Sequence, residues 1–205
     1  MLIRFFVSPK RKGKDMKLTK NDNLVASIEA AIFAVLAFVI ALIPLDIGPF
    51  EAELGMIPII ILSYRRGLQT GILSGFLWGF IKLALGKFIM LSVLQVLIEY
   101  LFAFAVSGLA GIAWKKLQIE VSTEKWQRAF ITIAWSTFLA VFIKYGVHFI
   151  AGVVYWNIYA PEGMNTVLYS FIVNGSSGLA TFIIVGSITT FIIYRAPRLI
   201  FPKNE

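Results

Sequence analysis

Apolar residues in this chain come in long unbroken runs, with polar residues clustered in the short gaps between them. The runs cover about 24–45, 54–63, 67–86, 88–113, 127–155 and 165–194. A helix needs roughly 20 apolar residues to cross the hydrocarbon core of a bilayer, and every run but the second has that length. The pattern predicts an all-α, polytopic membrane protein, a bundle of six transmembrane helices in one compact domain. The run from Leu54 to Ser63 is the doubtful one. A helix over it rises only about 15 Å, half the core, and Pro58 lies inside it. Length alone leaves it as either a re-entrant piece or a short crossing.

Charge chooses between these. Lys and Arg near span ends favour the cytoplasmic side. Arg4, Lys10, Arg11, Lys12, Lys14, Lys17 and Lys20 precede the first run, and Arg65 and Arg66 follow the second. Lys115, Lys116, Lys125 and Arg128 separate the fourth and fifth, and Arg195, Arg198 and Lys203 close the chain. If the short run crosses, all of these fall on one side. If it does not, every later loop inverts. The short run is therefore expected to be a true crossing, buried in protein, with both chain ends cytoplasmic. The outer loops then hold Asp46, Glu51, Glu53 and Glu162. Residues 1–22 form a basic cytoplasmic arm, 23–195 the membrane domain and 196–205 a short cytoplasmic tail. A cleaved signal peptide is the competing reading of the N-terminus, but the run from Leu24 to Pro44 is long for one.

Composition supports the membrane. Apolar types make up 59% of the 205 residues, only 15% are charged, and mean hydropathy is +0.82. Soluble domains carry about a quarter charged residues. The net charge of +8 is spread over the inner loops and the arm, so it points to anionic membrane lipid and not to nucleic acid. There is no cysteine and a single histidine, His148. No metal site and no cofactor are expected.

Gly67, Gly71, Gly75 and Gly79 recur every four residues in the third run. They form one bare helix face on which another backbone can pack closely. Packing inside the bundle is the expected use. Ala26, Ala30 and Ala34, with Ala37 and Ala41 one step round, make a similar strip on the first run. It suits either internal packing or a partner helix.

Ionisable groups inside spans are costly and mark candidate functional positions. Lys82, Glu99, Lys144 and His148 qualify. Glu99 falls near mid-depth of the fourth span. Lys144 lies one helical turn below His148 on the same face. Tyr155, Trp156, Asn157 and Tyr159 mark the outer end of the fifth span, Tyr169 and Asn174 enter the sixth, and Trp78 sits in the outer half of the third. Belts of interfacial Trp and Tyr account for Tyr159, Trp114 and Trp126. A buried ion pair between Glu99 and a lysine is the plain structural alternative. A carboxylate ringed by aromatics suits an organic cation or a flat heteroaromatic ligand. No P-loop, His-Glu-x-x-His or Gly-x-Ser-x-Gly run is present, so no catalytic residue is assigned.

Six blocks carry a resemblance to a known family: Gly55-Met-Ile-Pro-Ile, Tyr64-Arg-Arg-Gly-Leu, Gly75-Phe-Leu-Trp-Gly79, Leu94-Gln-Val-Leu-Ile-Glu-Tyr100, His148-Phe-Ile-Ala-Gly152, and Leu168-Tyr-Ser with Val-Asn-Gly175. Between about Glu29 and Phe191 the chain resembles the thiamine-specific S-components of energy-coupling factor (ECF) transporters. The resemblance implies a six-helix bundle in the cell (plasma) membrane of a prokaryote that binds thiamine from outside. It implies Glu99, Tyr100, His148, Gly152, Trp156, Tyr169 and Asn174 as binding positions, to which the depth of Trp78 adds a ring. It also implies docking on an ECF transmembrane coupling subunit and two ATPase subunits through an Ala-x-x-x-Ala strip of the first helix. Ala30/Ala34 has that spacing, and Ala31/Val35 is the other register. The family tends to carry tyrosine where this chain has Ile89, with Phe88 as the neighbouring ring. The expected function is high-affinity thiamine capture for uptake of the vitamin. The alternatives are another planar cationic vitamin or a thiamine precursor, a small intramembrane enzyme acting on a lipid headgroup, or an assembly subunit.

Overall fold

A computed structural model describes residues 20–202; most of the basic arm, and Lys203, lie outside the described residues. Six helices follow one another: α1 Lys20–Ile40, α2 Met56–Arg66, α3 Leu68–Ala84, α4 Val93–Ser122, α5 Trp126–Tyr155 and α6 Thr166–Arg195. A two-residue hairpin joins α1 to α2, pairing β1 Asp46–Ile47 with β2 Phe50–Glu51. Among the described residues α1, α4, α5 and α6 are long and apolar enough to cross a membrane, and α3 is shorter.

The short second run is a core helix. Every residue from Met56 to Tyr64 is buried, because α1, α3, α4 and α6 all pack on α2. A helix apolar on every side requires such a setting. Gly67, at φ +90°, turns the chain from α2 into α3 in a single residue, a backbone conformation that glycine adopts without a Cβ penalty. The last carbonyls of α2 find a donor in Gln118, whose amide donates to Tyr64 O at 3.0 Å, Arg65 O at 3.1 Å and Ile200 O at 2.7 Å.

The charge-based topology holds. Glu29 of α1 accepts from both Arg65 (2.9 Å to each oxygen) and Arg66 (2.7 and 3.0 Å). Arg65 also donates to Phe201 O at 2.5 Å and Leu199 O at 3.3 Å. The arginines closing α2 therefore sit at the same end of the bundle as the C-terminal segment. That segment is more than a loose tail: Pro197–Ile200 form a 3₁₀ turn and Ile200 is fully buried.

The glycine stripe packs inside the bundle, against α4. A Cβ built on Gly79 would lie 1.8 Å from Tyr100 O, one on Gly75 2.3 Å from Phe104 O, and one on Gly108 2.2 Å from the Gly71 carbonyl carbon. Where α4 meets this face its winding changes. Leu97–Phe102 is a π-helical turn, and Val106–Ala113 is 3₁₀. Wide turns of this kind re-aim side chains and recur at functional sites. This one carries Glu99.

The alanine strip of α1 resolves into two faces. Ala30, Ala34 and Ala37 are completely buried, and Ser74 of α3 donates to Ala30 O at 2.8 Å. Ala30 and Ala34 are thus corrected as a docking pair, because they are used up in bundle packing. Ala31 and Val35 lie on the exposed face with Ile28, Ile32 and Val39.

Candidate functional site

A cavity of about 350 Å³ lies between the outer halves of α3, α4, α5 and α6, beneath the β-hairpin. Its lining includes Glu99, Tyr100, His148, Gly152, Trp156, Tyr169 and Asn174, so seven of the expected positions meet in one place. Trp78 does not reach the wall. It is fully buried, edge-on to Phe104 at 4.5 Å between centroids, and backs the cavity from behind.

Glu99 is buried and heavily bonded. The Trp156 indole N–H donates to its two oxygens at 3.1 and 3.0 Å, the Gln95 amide donates to Oε2, and His148 Nδ1 stands 3.5 Å from Oε1. Gln95 also holds the α3–α4 loop, donating to Ile89 O at 3.2 Å and accepting from Leu91 N–H at 3.1 Å. Ile89 lines the cavity and its N–H donates to the Tyr100 hydroxyl at 3.1 Å. Phe88 packs edge-on to Tyr100 at 5.9 Å and is not among the lining residues. On α6, the Asn174 amide donates to Ser170 O and Oγ, both at 3.1 Å. Its Nδ2 is thereby fixed, which leaves the amide oxygen as its free acceptor. Gly152 permits that approach, since a Cβ there would lie 2.2 Å from Ser170 Oγ.

A second charged cluster adjoins the first. Glu53 takes both intramembrane lysines: Lys82 Nζ donates to Oε1 at 3.2 Å, and Lys144 Nζ lies 2.8 Å from Oε2. The lysines pair with this loop carboxylate, not with Glu99. Lys144 Nζ is also 3.4 Å from His148 Nε2 and 3.7 Å from the centre of the Phe104 ring. Burial alone would raise the Glu53 carboxyl, but Lys144 and Lys82 hold it below the usual carboxylate range. Glu51, two residues earlier, also lines the cavity. The charge of Glu53, with burial adding to it, pushes Glu51 from 4.5 up to about 7. Three hydroxyls hold the Glu51–Glu53 backbone in place. Glu51 N–H donates to Ser177 Oγ and Glu53 N–H to Thr181 Oγ1, both at 3.1 Å, and the Tyr145 hydroxyl donates to Glu51 O at 3.1 Å.

Glu51, Glu53, Gln95 and Tyr145 were absent from the candidate positions read from sequence. One signal pointed to the two acids. Lys82 and Lys144 each needed a negative partner within reach of the outer half, and the first outer loop supplies Glu51 and Glu53. Chemically the cavity offers aromatic faces, a hydrogen-bonding carboxylate, an amide oxygen and a separate charged cluster. It has the wall of a binding site. A larger depression of about 540 Å³ between α5 and α6 is lined by Phe130, Phe182, Phe191, Tyr194 and small residues, without a charged side chain.

Known proteins match this architecture over nearly its whole length. Residues 27–201 match the family described as Thiamine transporter protein (Thia_YuaJ). The thiamine transporter ThiT of Lacticaseibacillus paracasei is 37% identical over 193 residues, covering 91% of this chain and 96% of that protein. ThiT of Bacillus subtilis is 26% identical over 190 residues, covering 89% and 97%. A solved structure of ThiT from Listeria monocytogenes superposes with a TM-score of 0.86 at 33% identity, over 89% of this chain and 100% of that one. With six helices in the expected order and a match from the first helix to the last buried turn, this multi-pass prokaryotic membrane protein belongs to the thiamine transporter family.

Proposed function

We propose that the chain captures thiamine at its outer face and presents it for uptake. The observation that carries this reading is the ring of Trp156, Tyr100 and Tyr169 around the buried Glu99 carboxylate, in a chain of the thiamine transporter family. Thiamine joins an aminopyrimidine, which has donors and acceptors on its edge, to a permanently cationic thiazolium. Flat rings stack on aromatic side chains, and a cation is attracted to their faces. In this reading Trp156 is the stacking platform, held in place by its own N–H bond to Glu99. Glu99 is the acidic anchor, and His148, Tyr169 and the Asn174 amide oxygen orient the ligand by hydrogen bonds. Trp78 contributes from behind by supporting Phe104.

Uptake requires energy that this chain does not supply. The proposed partners are an ECF transmembrane coupling subunit and two ATPase subunits, and the proposed docking face is the outward strip of α1 around Ala31 and Val35. Calorimetric titration of the purified chain with thiamine tests the capture step. Tight binding that weakens strongly in both Glu99→Gln and Trp156→Ala is expected; no binding by the wild type, or unchanged affinity in both variants, would refute it.

A further inference from the structure

We propose that the groove between α5 and α6 binds one anionic phospholipid of the cytoplasmic leaflet, with an acyl chain along the groove and the phosphate at its inner mouth. The depression of about 540 Å³ is walled by Phe130 and Ala134 of α5 and by Phe182, Gly186, Thr190 and Tyr194 of α6. None of these residues lines the outer cavity. Because α6 runs inward, the groove opens at the inner end of the bundle beside Tyr194 and reaches Phe182, about 18 Å up the helix. That is close to half of a ~30 Å hydrocarbon core, the depth of one leaflet. Averaged over this length the groove has a section of about 30 Å². An extended alkyl chain fits such a slot, whereas a helix about 10 Å across takes about 80 Å². Gly186 keeps the floor open. A Cβ there would meet nothing closer than the Phe182 ring at 3.8 Å, so packing within the bundle does not require glycine at this point, where it weakens the helix.

The mouth carries the charge. Trp126 and Tyr194 meet edge-on at 5.0 Å between centroids, and Phe130 packs on them at 6.1 and 6.0 Å. Rings of this kind border the headgroup region. The chain neighbours of the touching pair are Lys125 and Arg195, both exposed and, among the described residues, without a side-chain hydrogen bond or ion pair. Arg195 lies one turn inward of Phe191, which also lines the groove. Arg198 follows in the terminal turn, and Glu124 is the exposed acid of the adjoining loop, so the mouth is positive on balance. A phosphate placed there meets free cations while its acyl chain meets rings and methylenes. Basic pockets between transmembrane helices on the cytoplasmic side take anionic lipid for this reason. Arg128 supplies a contrast at the same depth. Trp126, Phe130 and Ala134 share one row of α5, and Arg128 lies about 160° round the helix from Phe130, off the groove.

The test is native mass spectrometry of the full chain, reconstituted in an equal mixture of phosphatidylglycerol and phosphatidylcholine and released in mild detergent. One phosphatidylglycerol is expected to stay on the wild type, preferred over phosphatidylcholine by about tenfold or more. Arg195→Gln should lower that preference about fivefold, while Arg128→Gln, the same change of net charge, should leave it within about twofold. Gly186→Leu fills the groove and should reduce retention of both lipids by about fivefold or more. All three variants should keep the helical circular dichroism of the wild type, and the exposed pair Arg195 and Arg128 decides the matter should Gly186→Leu fail to fold. Equal retention of the two lipids by the wild type, equal effects of Arg195→Gln and Arg128→Gln, or full retention in a folded Gly186→Leu overturns the proposal. A dimer of the wild type that Gly186→Leu abolishes also overturns it, since the groove then belongs to a second copy of this chain.

Discussion

A carboxylate in the middle of a bundle keeps its charge only if donors surround it, and Glu99 has them from its own helix and from α5. Trp156 therefore has two separable roles, a ring face and an N–H. Trp156→Phe keeps the face and removes the bond, and should weaken thiamine binding by about tenfold, ~1.4 kcal/mol. Trp156→Ala should weaken it further, and calorimetry on both variants separates the two contributions. The Glu51 carboxyl gives a second expectation. Its pKa in the fold lies near 7, above the usual 4.5. Its contribution to stability is thus fully present below about pH 4.5 and is lost as pH rises through about 7. Melting temperature of the ligand-free chain in detergent should fall across that window, with a smaller slope in Glu51→Gln; equal slopes would remove Glu51 as the source. These residues differ in how far sequence exposes them. Glu99, His148, Trp156, Tyr169 and Asn174 can be read because each is polar or aromatic at a depth where such groups are conspicuous. Glu51 and Glu53 are harder to read: the two lysines call for an acid in the outer half, but an acid in an outer loop looks like any solvated charge until hydroxyls on α5 and α6 are seen to draw its backbone inward.

At the scale of elements, the α3–α4 contact sets where the π-helical turn stands. Gly79 and Gly75 let the α4 backbone close on α3 at Tyr100, inside that turn, and at Phe104, just beyond it. Gly79→Ala puts a Cβ where Tyr100 O now sits. It should cost about 1–3 kcal/mol of stability and shift Glu99 enough to weaken thiamine binding. Gly175→Ala on α6 is the control: nothing lies within 4 Å of its Cβ position, so it should be neutral or stabilising by up to about 1 kcal/mol. Thermal melts of the two variants with and without thiamine make the comparison. Four-residue spacing made the glycine face readable from sequence. The π turn was not, because an apolar run through Leu97 and Phe102 looks the same in any helical winding. The alanine strip of α1 was half readable. Spacing found a face, but only the packing of Ser74 against Ala30 shows that this face is the inner one.

Across the whole molecule the two ends do different work. The outer half holds the cavity, and the inner half is closed by short bonds. Tyr64, buried on α2, bonds Ser136 at 2.7 Å and Thr137 at 3.1 Å, and Glu29 gathers Arg65 and Arg66. Glu29→Gln should therefore lower the melting temperature through the loss of a partly buried ion cluster worth about 1–3 kcal/mol, while thiamine affinity stays within about twofold of wild type. A parallel fall in affinity would show that the two ends are coupled. The distribution of Lys and Arg made the orientation of the bundle readable, because short inner loops must carry the charge. The extent of burial of α2 was expected for the same reason, since a half-length crossing is tolerable only inside protein. That helix bears on how the chain is made. With 11 residues and two arginines at its end, α2 is a poor substrate for lipid partitioning as it emerges from the ribosome. Its stop is a single glycine, after which α3 follows at once. The crossing of α2 is then expected to settle only once α3 and α4 are present to bury it, with Arg65 and Arg66 staying on the inner side throughout.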